Sequence, residues 1–524
     1  MGIPLYFHKI TNHFKGVVSP QKPERCDRLF LDFNGVVHNC AREVRMRANA
    51  STVTKDEFES MLIKDVIAYT ETLCEYARPR ELLYICIDGV APLAKIQQQR
   101  KRRYLSAWLK SKLKEEGYPW DTNAISPGTP FMHKLNAALK RFVLEKNARS
   151  NRGPEYRLSD STERGEGEHK IFDLIATTPH KESYVDVVYG LDADLIMLSM
   201  LCKRTKKYLM REPQNFSSTP NPTNAPFLWF DVDACRSRVL DYYEGGVDIE
   251  SYVILCVLIG NDFLPNLTYL TIFNNGVDAI MAAYKIVLES GCGPVVYYED
   301  GRYTLNTNTL SLLLNQLKHA EDDECKKLHD NYHKKTMVLH THKHKIENYG
   351  ITHKNLSTKS MFTNNNWRSN YYSYLFDMNG YKDSVIASCC RQYVNGMLWM
   401  VDYYLNKHPS NAWCYTYNYS PTILDMYNYL EVNKKELGNV VVDSVFAKDT
   451  TSIDEDTQLL MIMPTGSFGV LPLKLQKKLT TNVAIRHFYP KTFKIETYLK
   501  SKLHECYPIL PQFEWCNDLL QGST

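Results

Sequence analysis

Through residues 1–315, short apolar runs that end on an acid recur. "RLFLDFNG" carries Leu29, Phe30 and Leu31 into Asp32, "LLYICIDG" runs from Leu82 to Ile87 and into Asp88, and "DVVYGLDADLIML" leads to Asp192 and Asp194. Near-continuous apolar runs of this length mark strands buried on both faces. Between them lie longer stretches with helical spacing of apolar positions, for example 55–77 and 131–147. Strands alternating with helices predict an α/β fold with a mostly parallel central sheet flanked by helices. In such a sheet, functional side chains gather beyond the carboxyl ends of the strands. Three acidic strand ends should therefore converge in space.

The pattern divides the chain into regions. Residues 1–315 form the α/β region. Residues 316–365 are polar and rich in His and Lys ("KHAEDDECKKLHDNYHKKTMVLHTHKHKIENYG"), the composition of a linker or surface insertion. Residues 366–524 return to aromatic-rich helical patterning, as in "VIASCCRQYVNGMLWMVDYYL", with Pro-punctuated loops, and are expected to pack against the first region. His340, His342 and His344 alternate as strand ligands for a metal would, but their polar surroundings read as a solvated loop. Cys389 and Cys390 read as core packing, and Asp173 and Asp278 as ordinary surface acids.

Composition narrows the class. At 44% hydrophobic and 23% charged residues, the 524-residue chain is an ordinary globular protein. The net charge of +4 announces no nucleic-acid binder, so such a function must rest on local basic patches. Fourteen cysteines occur without CxxC spacing, which predicts reduced thiols and no cysteine-built zinc site. No apolar stretch reaches the roughly 18 residues of a membrane span. The start lacks a signal-peptide pattern, and Tyr6 stands where a myristoylation motif requires Ser or Thr. The expected location is intracellular, the cytoplasm rather than the nucleus.

Further acids extend the set. "ERGEGEHKIFDLI" places Glu166 and Glu168 at a glycine-rich helix start, and "VILCVLIGNDFLPNL" ends an apolar helix at Gly260-Asn261 and presents Asp262. Any one acid after a strand is commonly a turn or cap residue. That reading does not explain two i, i+2 doublets and a G-N-D in one α/β frame. Asp32, Asp88, Glu166, Glu168, Asp192, Asp194 and Asp262 gathered in one cleft would repel, so a compensating cation is required. Oxygen-only ligation suits Mg²⁺ or Mn²⁺. Two such ions about 4 Å apart suit phosphodiester hydrolysis.

Beside Asp88 runs "APLAKIQQQRKRRYLSAWLK". If helical, it aligns Lys95, Gln99, Arg102 and Arg103 in one stripe built for an oxyanion, most naturally a phosphate. Arg100 and Lys101 fall off that stripe and read as solvated or as contacts to a nucleic-acid backbone.

These residues spell a family. The blocks "MGIPLYF", "LDFNGVVHNC", "IDGVAPLAKIQQQRKRR", "ISPGTPFM", "GEGEHKI", "YGLDADLIML" and "IGNDFLPNL" occur in order across residues 1–267. The chain resembles the Xrn family of 5′→3′ exoribonucleases, with weaker matches at "WCYTYNYSP", "MPTGSFGVLP" and "FYPKTF". The resemblance implies a PIN/5′-nuclease-like fold whose second region, 366–524, completes the active-site pocket. It implies processive, Mg²⁺-dependent degradation of single-stranded RNA from a 5′-monophosphate, releasing nucleoside monophosphates, by a monomer. It assigns the seven carboxylates to the metal site and Lys95, Gln99, Arg102 and Arg103 to the 5′-phosphate pocket. His38 and Trp413 become the rings that stack on bases, a sequence-tolerant mode of binding. Departures are Leu93, where the family usually carries Arg or another polar residue, Arg164 in place of Pro, and one Trp where two are common. The chain is expected to be a minimal catalytic core, similar to compact forms in large DNA viruses.

Overall fold

The computed structural model describes residues 2–3, 5–47, 53–112, 120–149, 153–178, 183–213, 225–338, 361–362, 366–376, 378, 381–407, 409–437, 453–483, 485–500 and 506–512. The acid-terminated apolar runs are strands. β1 (Val18–Ser19), β2 (Arg28–Asp32), β3 (Leu82–Cys86), β4 (Glu155–Ser159), β5 (Val185–Tyr189), β6 (Lys206–Arg211) and β7 (Leu228–Asp231) form one seven-stranded sheet in the order β1-β7-β6-β5-β2-β3-β4. β2 through β6 run parallel, while β7 and β1 close one edge antiparallel. Every residue of β2 is buried, as expected of a central strand between layers.

The connectivity matters for function. From β2 the chain winds outward through β3 and β4, then returns to place β5 and β6 on the other side of β2. The winding reverses between β2 and β5, so the ends of these strands flank a crevice.

Helices cover both faces: α1 (Tyr6–His13), α2 (Phe33–Arg47), α3 (Lys55–Ala77), α4 (Leu93–Lys112), α5 (Pro130–Arg149), α6 (Gly167–Thr177), α7 (Ala193–Leu201), α8 (Val232–Tyr243) and α9 (Ile249–Cys256). The helical spacings at 55–77 and 131–147 correspond to α3 and α5. A Thr54–Glu57 capping box starts α3. Two large apolar clusters fill the layers on either side of the sheet.

Beyond the sheet come α10 (Gly276–Glu289), α11 (Thr307–Leu317), α12 (Glu321–Val338), α13 (Trp367–Leu375), α14 (Asp383–Val401) and α15 (Ile423–Val432). The polar stretch after 316 leaves α11 through a short 3-10 turn and then forms helix α12. Its Glu321 is fully buried and accepts hydrogen bonds from Ile423 N (2.6 Å) and Leu424 N (3.1 Å) at the start of α15. His340, His342 and His344 lie outside the described residues. Cys389 and Cys390 are buried in α14. Asp173 and Asp278 are paired, with Lys407 and Lys9 respectively.

α14 joins its core to that of the α/β region, with Trp399, Met400 and Val401 wholly buried. It ends in a π-helical turn, Asp402–Asn406, anchored by Arg302 on Asp402 (2.8 Å) and Tyr303 N on Asn406 (2.8 Å). Among the described residues, no helix is long and apolar enough to cross a membrane.

Candidate active site

The acids gather at the crevice. Asp32 ends β2, Asp88 stands two residues past β3, and Glu168 lies in the first turn of α6. One carboxylate oxygen from each falls within 4.8 Å of the other two. Such a cluster is unstable as three bare charges and suits a divalent cation. Gly167 makes the approach possible. A Cβ there would stand 3.0 Å from both Asp32 Oδ1 and the Cys86 carbonyl, and its N–H donates to Asp88 Oδ1 at 2.7 Å.

Glu166 and Asp192 occupy the N-cap positions of α6 and α7, yet neither side chain caps its helix. The ordinary structural role of an acid at that position is therefore not theirs. Asp194, in the first turn of α7, is 1% exposed. Asp262 lies within a turn in which Asn261 Oδ1 accepts from the N–H groups of Phe263 and Leu264, both at 2.9 Å. That Asx turn is the structural content of the G-N-D motif.

Lys95 enters this group from the first turns of α4. Its ammonium lies 2.6 Å from Glu166 Oε2 and 3.5 Å from Asp262 Oδ2, and sits over the Phe263 ring. Burial and the neighbouring charge of Asp88 push Asp32 well above the ordinary carboxylate range. Burial and Glu166 raise Asp88 and Glu168 likewise. Burial and Asp262 push Asp194 up to about 6. Glu166 moves the other way: burial favours its neutral form, but the Lys95 ammonium overrides this and holds it below its usual value. Burial similarly opposes the charge on Lys95, and Glu166, Asp262 and Glu168 restore it, raising the amine well above normal. The site thus holds more negative charge than one cation neutralises, which is the condition for taking up a metal.

The remaining stripe residues extend along α4. Gln99 is buried, Arg102 is exposed, and Arg103 donates to Asn123 Oδ1 (3.2 Å) and Ile125 O (3.4 Å). Gln99 Oε1 and Arg103 Nε are buried without a hydrogen-bond partner among the described residues. Unmet polar atoms on one helix face fit a pocket completed by a polar ligand. His38, on α2, has an exposed side chain at the rim. The charges of Arg102 and Arg103 nearby disfavour protonation of its ring.

Trp413 is half-buried and packs against Trp399, ring centroids 5.3 Å apart; Trp399 in turn stacks on Tyr403 at 5.1 Å. It also lines a cavity of about 690 Å³ with Gln97, Lys101, Arg391 and Asn395. Leu93, the departure from the family pattern, is buried, and its N–H donates to Asn411 O at 3.0 Å. Arg100 is not solvated. Only 2% exposed, it donates to Phe488 O (2.5 Å) and Pro511 O (2.6 Å), tying α4 to the end of the described chain. Lys101 donates to Asn418 Oδ1 at 2.9 Å.

Several neighbours of the acids escaped the sequence reading. Asn34 donates to Asp88 Oδ2 at 2.6 Å, a role that the "DFNG" context could have suggested. Gly2 packs so closely on Asp194 that a Cβ would meet Oδ1 at 2.5 Å. Tyr403 and Tyr404, from the π-helical turn, reach Glu166 and Asp194. Nothing in a local pattern marks those two.

Carboxylates gathered at the switch point of a mostly parallel sheet, with a cationic helix against them, define an α/β protein of the nuclease type. The chain belongs to the Xrn 5′-3′ exonuclease family: residues 1–213 match the family model described as the XRN 5′-3′ exonuclease N-terminus, and residues 246–365 and 353–502 match the Xrn1 helical domain. It is similar to human 5′-3′ exoribonuclease 1, 26% identical over 98% of this chain and 33% of that protein. It is also similar to 5′-3′ exoribonuclease 2 of Schizosaccharomyces pombe (31% identical, 63% of this chain and 40% of that protein). The same protein of Kluyveromyces lactis is 30% identical over 62% of this chain and 40% of its own length. The chain thus spans 33 to 40% of the length of these relatives. The solved catalytic core of Rad2 with a DNA substrate matches 87% of this chain and 97% of that one at 12% identity, with a TM-score of 0.34.

Proposed function

We propose that this chain is a divalent-metal-dependent 5′→3′ exoribonuclease that hydrolyses 5′-monophosphorylated, single-stranded RNA processively to nucleoside monophosphates and acts in RNA decay. The observation that carries the reading is the convergence of Asp32, Asp88 and Glu168 within 4.8 Å, in a chain with the Xrn family's two regions.

Asp32, Asp88 and Glu168, with Glu166, Asp192, Asp194 and Asp262 around them, would hold Mg²⁺ or Mn²⁺, two ions in the reading we favour. Such ions activate water and stabilise the leaving oxygen of a phosphodiester. The protein's own part is positioning. Lys95, Gln99, Arg102 and Arg103 grip the terminal phosphate, and their fixed offset from the acids sets the first phosphodiester as the one attacked. A monophosphate fits the pocket and a triphosphate does not. His38 and Trp413 stack on bases without selecting among them. The enzyme works as a monomer inside the cell, in the cytoplasm.

The test compares 5′-monophosphate with 5′-triphosphate RNA, and with matched 5′-monophosphate DNA, in the presence of Mg²⁺, for wild type and Asp194→Ala. Rapid loss of the monophosphate RNA alone, abolished by the substitution, is expected. Equal degradation of both RNA ends, or a fully active variant, would overturn the reading.

A further inference from the structure

The two consecutive tyrosines of the π-helical turn both end on acids of the cluster. Tyr403 Oη donates to Glu166 Oε1 at 3.1 Å and lies 3.5 Å from Glu168 Oε1, while Tyr404 Oη donates to Asp194 Oδ1 at 2.6 Å. All of these side chains are buried. In a regular α-helix, neighbouring residues point about 100° apart. The wider turn at 402–406 lets both phenols reach one cluster, and π-turns recur at functional sites for this kind of reason.

The turn is built to stay in place. Tyr403 is stacked on Trp399, with its edge against Phe263 (4.9 Å) and the His169 ring (4.2 Å). Arg302 and Tyr303 N hold the two ends, Asp402 and Asn406. Burial and the adjacent carboxylates push both phenols well above their ordinary range, so they remain neutral donors.

We propose that Tyr403 and Tyr404 are positioning residues for cation binding, an inference that rests on the metal-dependent reading above. Each phenol occupies one oxygen of a carboxylate and fixes its rotation. Asp194 Oδ1 is taken by Tyr404, which leaves Oδ2 as the oxygen offered to a cation. Glu166 has Tyr403 on Oε1 and Lys95 on Oε2. Glu166 thus has both oxygens on protein donors, as Asp88 does with Gly167 N and Asn34, and the primary cation site falls to Asp32, Asp88 and Glu168, whose oxygens converge within 4.8 Å. The second region of the chain then acts on the site through these two hydroxyls.

The experiment measures Mn²⁺ affinity of the full chain by electron paramagnetic resonance, without RNA, alongside kcat and KM on monophosphorylated RNA. The variants are Tyr403→Phe, Tyr404→Phe and, as a control, Tyr415→Phe, a buried phenol whose hydroxyl contacts Cys389 and Tyr419 O. Phe keeps the ring packing, and Tm checks the fold. Loss of a partner that orients a metal ligand typically costs 10- to 100-fold in affinity. We expect that loss in the two site variants, with kcat reduced more than KM raised, and wild-type affinity in the control. Wild-type Mn²⁺ affinity in both site variants, or equal losses in all three, would overturn the proposal while leaving the metal-dependent reading intact. Failure of the wild-type chain to bind Mn²⁺ would instead remove that reading, and the proposal with it.

Discussion

The ammonium of the largely buried Lys95 lies 2.6 Å from the carboxylate of the buried Glu166, within the acidic cluster. One residue assigned to the phosphate stripe is thus also the internal counter-charge of the metal site. Breaking a buried pair by removing one partner leaves an uncompensated charge and typically costs about 3–5 kcal/mol. Lys95→Met should lower the melting temperature of chelator-treated protein by several degrees at neutral pH, and added Mg²⁺ should recover more stability in the variant than in wild type. Cleavage should fall at the same time. An unchanged melting temperature in chelator would show that the contact is not a stabilising pair.

The acid set also predicts a pH dependence. Asp194 is pushed up to about 6 in the fold, from an ordinary value of 3.8. A carboxyl raised in the folded state contributes stability that is fully present below its unfolded value and lost as pH rises through its folded one. Asp32, Asp88 and Glu168 shift in the same direction. Metal-free protein should therefore lose stability from about pH 4 through pH 6 and somewhat beyond. Cation binding requires the deprotonated carboxylates, so affinity should climb across that window. Melting curves with and without Mg²⁺ should differ little at pH 5 and strongly at pH 7.5. A metal-induced shift of equal size at both would contradict these assignments.

Gly167 tests how closely α6 must approach the strand ends. A methyl group there would press on Asp32 Oδ1 and on the Cys86 carbonyl, each at 3.0 Å, and the carbonyl belongs to the sheet and cannot yield. A misplacement of about 1 Å at a reacting centre can cost 10²-fold in rate, and a shift of a few tenths of an ångström correspondingly less, about 10-fold. Gly167→Ala should reduce RNA cleavage by about the latter factor while the protein remains folded by circular dichroism. Wild-type cleavage by the variant would mean that the helix start has room to spare.

The acids were legible because each stands where an apolar run stops. An acid inside a buried strand needs a partner, as Asp186 in β5 has in Arg28, and the crevice at a switch point collects the acids at strand ends, so Asp32, Asp88 and Asp194 could be read from pattern alone. Helix α4 was legible for a similar reason, since the notable polar residues after Asp88 follow helical spacing. Tyr403 and Tyr404 were not. In the sequence they continue an apolar helical run, and only the wider turn at 402–406, held at its ends by Arg302 and Tyr303 from a distant segment, turns both toward the acids. Arg100 misled because charge density reads as solvation. Its two carbonyl partners lie 388 and 411 residues away along the chain, beyond any local pattern.

Arg100 and its neighbours Arg102 and Arg103 should consequently separate in function despite their adjacency. Arg100 satisfies the carbonyls of Phe488 and Pro511 from a buried position and packs on Tyr104. Arg100→Met keeps the aliphatic stem but leaves both carbonyls without that donor, at about 1.5–3 kcal/mol for each charged hydrogen bond lost. Its denaturation midpoint should fall, with the preference for a 5′-monophosphate end retained in the folded fraction. Arg102→Ala combined with Arg103→Ala should do the reverse: Mn²⁺ affinity close to wild type, and the discrimination between monophosphate and triphosphate ends lost. Measuring melting, Mn²⁺ binding and end preference on both variants decides the matter. Loss of end preference in Arg100→Met at full occupancy of the folded state, or its retention in the double variant, would mean that the phosphate pocket lies on a different face of α4.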